Sequence, residues 1–370
     1  MTQPKHKRVV ISGGGTGGHI FPALSIANAL RKLDQDIEIL FVGAEGKMEM
    51  ELIPAAGYMI KGLPVAGIKR NNVLKNISVF TRLFKSLRLA KKILKEFKPD
   101  VAVGTGGYAS GPVLRQAQKM QIPVLLQEQN SMAGITNRLL AKKASKICVA
   151  WDGMEKYFPP ERIIKTGNPV RHTFDNIDKM HNEAIQFFGL RSEAAVILVL
   201  GGSLGAASIN KCLSDNIKTL EGTGYQWLWQ TGRNYYDEII NKVNESGAHN
   251  ILTHAFINRM DLAFAAADII ISRGGAGTIS ELCLAGRPVI LVPSPNVAED
   301  HQKRNAMALM EKNAAVMISD MEAGEKLIEE TLRLATDLKL RETLSLNIKK
   351  MAERNADIRI AEEVLKLAEG

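Results

Sequence analysis

The sequence predicts an α/β protein made of two doubly wound, Rossmann-like domains separated by a cleft. Three observations predict it. Short β-branched runs alternate with longer helical patterns, the signature of a parallel sheet covered by helices. Two βα units, far apart in the chain, each carry their own glycine loop. At 370 residues the chain is too long for one ordinary core.

The elements follow in order. Val9-Val10-Ile11 leads into Gly13-Gly14-Gly15-Thr16-Gly17-Gly18-His19, then a helix over 19–33 and a strand over 37–42. Apolar runs at 101–103, 122–126 and 147–149 extend the first sheet. A strand at 195–200 restarts the pattern and runs into Gly201-Gly202-Ser203-Leu204-Gly205 and another helix. Strands are expected at 226–229, 250–253, 268–271 and 288–292. Gly167-Asn168-Pro169-Val170 interrupts any regular element, which sets the domains at 1–166 and 167–345. The tail over 338–368 reads as helical and is able to pack on either domain; its last part, 346–370, is assigned a return to the N-terminal one. Ligands of such a protein bind at the C-terminal edges of the strands, in the cleft.

Composition narrows the class. Hydrophobic residues at 45% and charged residues at 24% describe a folded chain. Cys148, Cys212 and Cys283 are far apart inside apolar segments, so buried thiols in a reducing compartment are expected, with neither disulfides nor a zinc site. No run reaches transmembrane length, and the expected location is cytoplasmic. The net charge of +9 is local: residues 61–98 hold eleven basic residues and one acidic, +10, and the remainder sums to 9 − 10 = −1. A patch so concentrated calls for a partner of its own.

The glycine loops point to a bound diphosphate. Residues 13–18 formally match G-x-G-x-x-G, but the following strand ends Phe41-Val42-Gly43 and Glu45 comes too late to hold a ribose. An NAD or FAD site is therefore disfavoured and no cofactor is expected. A Walker A loop is excluded for want of Gly-Lys-Ser/Thr. In the second half, Arg273-Gly274-Gly275-Ala276-Gly277 opens a helix beginning Thr278-Ile279-Ser280-Glu281. Amides there, with a helix dipole contributing roughly 0.3–2 kcal/mol, suit a diphosphate. Glu281 lies where a carboxylate accepts both ribose hydroxyls; an acidic residue favoured near a helix start is the equal alternative. Asp34-Gln35-Asp36 precedes its strand, reads as a turn, and leaves the site metal-independent.

Six motifs carry a family resemblance over nearly the whole chain. They are residues 14–22, Gly106-Gly107-Tyr108-Ala109-Ser110-Gly111-Pro112, Glu128-Gln129-Asn130 with Ala133-Gly134, Gly167-Asn168-Pro169-Val170-Arg171, residues 201–206, and Thr278-Ile279-Ser280-Glu281. In this order they resemble the MurG family, the GlcNAc transferases that convert lipid I to lipid II in peptidoglycan synthesis. The resemblance implies a GT-B fold, with an acceptor- and membrane-binding N-terminal domain and a C-terminal domain that binds UDP-GlcNAc. It implies transfer with inversion to the C4 hydroxyl of MurNAc in undecaprenyl-pyrophosphoryl-MurNAc-pentapeptide. Carried over by residue, Thr16, Gly17 and Gly18 approach the donor, Asn130 reaches the GlcNAc, and Arg171 and Ser203 lie near the diphosphate. Ile257 offers its backbone to uracil. Ala276, Gly277, Thr278, Ile279, Ser280 and Glu281 hold phosphate and ribose, and Gln302 contacts the sugar. The sequence departs from the family at Gln127, where several members carry His, and at Arg273-Gly274-Gly275 and Gly277, which differ from a Ser-Gly-Ala-Leu loop.

With that chemistry, His19 is the leading candidate for general base or acceptor-orienting group, because a helix N-terminus keeps an imidazole neutral. A histidine that only shapes the loop is the competing reading. Glu128 is the second candidate base, against a carboxylate that orients Asn130. Arg171 with Ser203 would stabilise the departing UDP, against a salt bridge at the domain linker.

The basic patch reads as an amphipathic helix over 73–97, its apolar stripe running through Phe80, Phe84, Leu87, Ala90, Leu94 and Phe97 and packed on the core for most of 83–97. Its start is expected to meet an anionic inner-membrane surface through Ile68, Val73, Leu74, Lys75, Ile77 and Arg82, each cation contributing about 1 kcal/mol. Nucleic acid is disfavoured, because stacking aromatics are sparse. The expected location is peripheral, on the cytoplasmic face of the bacterial inner membrane, with cell-wall synthesis and division proteins as further partners. The competing functions are a UDP-GlcNAc 2-epimerase or glycolipid synthase on the same fold, and a non-catalytic nucleotide- or lipid-binding protein.

Overall fold

The computed structural model describes residues 6–65, 73–170, 177–297 and 300–370, with side chains in the helix over 73–97 described from 81 onward. Ile68 and Arg171 lie outside the described residues, as do the side chains of Val73, Leu74, Lys75 and Ile77. The chain divides into two compact units, Met1–Val170 with Glu353–Gly370, and Arg171–Ala352.

The first unit opens with β1 (Arg8–Gly13), α1 (Gly17–Leu33), β2 (Glu38–Ala44), α2 (Glu49–Ala55), β3 (Met59–Leu63) and α3 (Val73–Phe97). It continues with β4 (Val101–Gly106), α4 (Ser110–Lys119), β5 (Val124–Glu128), α5 (Ile135–Ala141), β6 (Lys146–Val149) and β7 (Ile163–Lys165). All pairings are parallel, in the order β3-β2-β1-β4-β5-β6-β7. Strand periodicity divides the core between two faces. Val9, Ile11, Phe41 and Val103 pack with Ile20, Ala23 and Ile26 of α1. Val10, Leu40, Val42 and Ala102 face the other way, toward Ala90 and Leu94 of α3 and Val113 of α4.

The second unit runs α6 (His181–Phe188), β8 (Val196–Leu200), α7 (Ala207–Asp215), α8 (Ile217–Glu221), β9 (Gln226–Gln230), α9 (Tyr236–Ser246) and β10 (Ile251–His254). Then come α10 (Met260–Ala266), β11 (Ile269–Ser272), α11 (Ala276–Ala285), β12 (Val289–Leu291), α12 (His301–Met310), β13 (Val316–Met317), α13 (Ala323–Thr336) and α14 (Leu338–Lys349). Its parallel sheet is ordered β10-β9-β8-β11-β12-β13. Both sheets are doubly wound, and each reverses direction once, between β1 and β4 in the first and between β8 and β11 in the second. The reversal opens a crevice at the carboxyl ends of those strands. The glycine loops after β1, β4, β8 and β11 stand at these two points, whereas Gly167 follows the edge strand β7.

Three strands have no counterpart in the sequence reading: β3, β7 and β13. Each is an edge or near-edge strand, short and only half-buried, so its hydrophobic signal is weak. The tail is not one helix. It breaks at 350–355, and α15 (Ala356–Glu369) begins at Asn355, which has φ 54°. Ile360, Ala361 and Val364 of α15 are fully buried in the core that contains α1.

Described residues of α3 from 81 onward divide into a buried face, Ser86, Ala90, Ile93 and Leu94, and an exposed one. Leu83 and Phe84, 41% and 56% exposed, stand among Arg82, Lys85 and Arg88, and the Arg88 guanidinium lies 4.3 Å over the Phe84 ring. Phe84, expected in the apolar stripe, faces out instead, because the buried stripe is carried by Ile93 and Leu94. Among the described residues no helix is long and apolar enough to cross a membrane. All three cysteines are buried and unpaired, and burial pushes Cys148 and Cys283 up to about 12 and Cys212 to about 11. Thiols so displaced are poor nucleophiles.

Candidate active site

In the first unit, β1 ends in glycines because nothing larger fits. A Cβ on Gly13 would lie 1.9 Å from Thr105 Oγ1, and one on Gly107 would lie 2.2 Å from Gly14 O. Gly15 turns the chain at φ 86°, a conformation that favours glycine. Beneath this turn lies Glu49, fully buried at the start of α2. Its carboxylate accepts the Gly15 N–H on both oxygens, each at 3.0 Å, and the Ala44 N–H on Oε1 at 3.0 Å. Thr16 caps α1 through its extended backbone, and Gly17, Gly18 and His19 form the first turn.

His19 is half-buried and held on two sides. Its Nδ1 lies 3.2 Å from Gly14 O and 3.3 Å from Thr16 Oγ1. A carbonyl oxygen only accepts, so Nδ1 carries the proton and the lone pair of the neutral ring is on Nε2. The opposite edge of the ring lies against Gly106, where a Cβ would come within 2.9 Å of Nε2. The Thr105 hydroxyl donates to His19 O at 2.8 Å and ties the helix start to the end of β4.

Glu128 ends β5 and is buried, with 2% of its surface exposed. Oε1 accepts from Asn130 N at 3.1 Å and Nδ2 at 3.3 Å; Oε2 accepts from Gly134 N at 3.0 Å and Asn137 Nδ2 at 2.9 Å. Burial pushes the carboxyl above its ordinary value, and these hydrogen bonds pull against that shift. The carboxylate thereby fixes the loop that presents Asn130. Beside it lies a buried amide cluster. Gln129 Nε2 donates to Thr105 O at 2.7 Å, Gln127 Nε2 to Asn168 Oδ1 at 3.0 Å, and Asn168 Nδ2 to Gln129 O at 3.0 Å. Gln127, where the sequence departs from the family, is a cross-tie between β5 and residue 168.

In the second unit the two loops at the β8/β11 reversal are equally close-packed. Gly205 and Gly232 meet backbone to backbone, since a Cβ on Gly232 would lie 2.1 Å from Gly205 N. Ser203 is exposed on the loop after β8, and its carbonyl accepts Arg233 N–H at 3.2 Å. After β11, Gly275 caps α11 with an extended backbone, and Ala276, Gly277, Thr278, Ile279, Ser280 and Glu281 make its first turns. Gly274 permits the approach of α12, where its Cβ would fall 2.5 Å from Gln302 O. Arg273 turns away from this helix start. Its guanidinium donates to Val292 O at 2.9 Å, Ser208 Oγ at 3.1 Å and Asp320.

Ile257 is buried after β10, and its N–H donates to Gln230 Oε1 at 2.9 Å. Gln302 is in the first turn of α12, with Oε1 accepting Ser294 N–H at 2.8 Å. Thus Thr16, Gly17, Gly18, His19, Glu128 and Asn130 gather at the strand ends of one unit. Ser203, Ile257, residues 276–281 and Gln302 lie in the other. The sequence reading missed Glu49, Thr105, Gln230 and Asp320, and gave Gln129 no role beyond its place in a motif. A polar residue closing a strand was the only available signal for Gln230; Glu49 gave none.

The chain matches the Glycosyltransferase family 28 N-terminal domain over residues 9–149 and the Glycosyltransferase family 28 C-terminal domain over residues 196–360. A protein of Parabacteroides distasonis named UDP-N-acetylglucosamine--N-acetylmuramyl-(pentapeptide) pyrophosphoryl-undecaprenol N-acetylglucosamine transferase is 54% identical, covering 97% of this chain and 98% of its own. A protein of the same name from Phocaeicola vulgatus is 55% identical, covering 98% and 96%. The crystal structure of Acinetobacter baumannii MurG superposes with a TM-score of 0.79 at 27% identity, covering 97% of this chain and 99% of its own. UDP-GlcNAc 2-epimerase from Neisseria meningitidis shares the fold, with a TM-score of 0.66 at 16% identity over 97% of this chain and 100% of its own. Two parallel, doubly wound sheets, each with its own family domain, make this a GT-B protein, and the chain belongs to glycosyltransferase family 28.

Proposed function

We infer that this enzyme transfers GlcNAc from UDP-GlcNAc to the C4 hydroxyl of MurNAc in undecaprenyl-pyrophosphoryl-MurNAc-pentapeptide, giving lipid II and UDP. The observation that carries the reading is near-complete coverage, at 54% and 55% identity, by relatives whose name is this reaction. In our assignment the N-terminal unit serves the acceptor and the C-terminal unit the donor. His19 Nε2 takes the proton of the C4 hydroxyl as its oxygen forms the bond to the anomeric carbon. The bond from that carbon to the UDP oxygen breaks with inversion, and the electron pair leaves on UDP. Glu128 positions Asn130 toward the sugar. Amides of α11 and of the loop at Ser203, with Arg171, offset the charge left on UDP, while Glu281 holds the ribose, Ile257 the uracil and Gln302 the sugar. Turnover is expected to persist in EDTA, because helix-start amides do the work a metal would do.

The deciding experiment is radiolabel transfer from UDP-GlcNAc to a short-chain lipid I analogue, with UDP-GalNAc and acceptor-free controls. Label appearing in ManNAc without acceptor would instead identify an epimerase. Docking to an anionic leaflet is assigned to the start of α3 and its exposed Leu83, Phe84, Arg82, Lys85 and Arg88. In this reading the enzyme works at the cytoplasmic face of the inner membrane, with cell-wall synthesis and division proteins as its proposed partners.

A further inference from the structure

We propose that Glu49 acts on His19 through the single peptide group that joins Gly14 to Gly15. The N–H of that peptide donates to both Glu49 oxygens at 3.0 Å, and its carbonyl oxygen faces His19 Nδ1 at 3.2 Å. Carboxylate, peptide and imidazole are therefore in series. A carboxylate at the N–H end draws electron density toward the carbonyl oxygen at the other end, and the polarisation is felt because Glu49 is fully buried. The more negative oxygen holds the Nδ1 proton and leaves Nε2 as the basic nitrogen. When Nε2 gains a proton, the same oxygen faces an imidazolium and stabilises it.

The chain has made room for this carboxylate. A Cβ on Gly14 would stand 2.0 Å from Glu49 Oε1, and one on Gly43 would stand 2.6 Å from its Cγ. Both positions therefore need glycine for Glu49 to occupy its place. The Ala44 N–H, 3.0 Å from Oε1, fixes the carboxylate from the strand side. Glu49 touches no reacting atom in this scheme; it is a positioning residue. The proposal rests on the reading of His19 as the base.

The test is imidazole nitrogen NMR on the full chain, with His19 assigned by its loss in His19→Ala, combined with steady-state transfer kinetics. In the unmodified enzyme His19 should be the Nδ1–H tautomer. Glu49→Gln keeps the shape and removes the charge. It should lower the Nδ1–H to Nε2–H ratio about threefold, as weakened polarisation through the peptide predicts. It should also lower kcat about tenfold, part of the roughly 10²–10⁴-fold a positioned base contributes, with the donor KM within about twofold. Glu49→Asp should recover part of the ratio, and it carries the comparison if Glu49→Gln does not fold. An Nε2–H tautomer in the unmodified enzyme, or an unchanged ratio in Glu49→Gln, overturns the relay. Near-normal turnover in His19→Ala overturns the base instead, so the two failures read separately.

Discussion

Glu128 and His254 show how burial sets the behaviour of single side chains. Glu128 is buried away from solvent, and its loop supplies the N–H donors that bulk water would otherwise provide. In Glu128→Gln the new amide N–H₂ faces donors already in place, which costs roughly 1–3 kcal/mol. A lowered urea midpoint and reduced turnover through the released Asn130 are expected. Because burial raises the Glu128 pKa, the folded state holds its proton better than the unfolded one does. That stability is present below the ordinary value of 4.5 and is lost as pH rises through the raised folded value. His254 has the opposite sign. Burial lowers its pKa, so its contribution is present above 6.5 and is lost as pH falls through the lowered folded value. Urea midpoints measured from about pH 7.5 down to pH 5.5 should fall, and His254→Gln should flatten that decline. An unchanged slope would place the pH dependence on another group.

The elements divide the glycines into those the fold needs and those it tolerates, and Gly274 and Gly277 are three residues apart on opposite sides of that division. A Cβ on Gly274 meets the Gln302 carbonyl at 2.5 Å, whereas one on Gly277 meets nothing within 4 Å. Gly274→Ala forces α11 and α12 apart and should cost roughly 1–3 kcal/mol and raise the donor KM. Gly277→Ala, inside a helix, should instead stabilise by roughly 0.5–1 kcal/mol. Calorimetric melting separates the two, and equal losses would sink the packing argument. The same pair marks how far the sequence could be read. Glycine runs after β-branched strands located three of the four loops at the sheet reversals, those after β1, β8 and β11, because a local pattern encodes them; the fourth, at Gly106-Gly107, came with the family resemblance. Glu49 beneath Gly15, Gln302 against Gly274 and Asp320 on Arg273 come from elements distant in sequence, and no local periodicity announces such meetings. Phe84 misled for a related reason. At its point in α3 helical spacing leaves two choices for the buried face, and only packing against α4 selects Ile93 and Leu94 over it. Paired charge reversal, Arg82→Glu with Arg88→Glu, should reduce sedimentation with anionic liposomes while leaving the melting temperature nearly unchanged.

At the scale of the whole chain, the last helix is separated from the rest of its unit by the entire second unit. Its Ile360, Ala361 and Val364 are fully buried in the first unit's core. Arg359 donates to Thr166 O and to Glu353 Oε2, the latter at 2.7 Å, and Gly167 at φ 85° leaves no room for a Cβ, which would lie 2.3 Å from Glu353 Cβ. The first unit is thus complete only when residues 353–370 have been made, and its stability depends on them. Ile360→Ala should cost roughly 2–5 kcal/mol, and that loss belongs to the first unit alone. Scanning calorimetry should show one transition moved to lower temperature. Titration with UDP should give an affinity within about twofold of the unmodified enzyme, since every group assigned to the donor except those at the start of α1 and at Asn130 lies in the second unit, and the variant touches none of them. Loss of UDP binding in step with the loss of stability would remove the assignment of the nucleotide to the C-terminal unit.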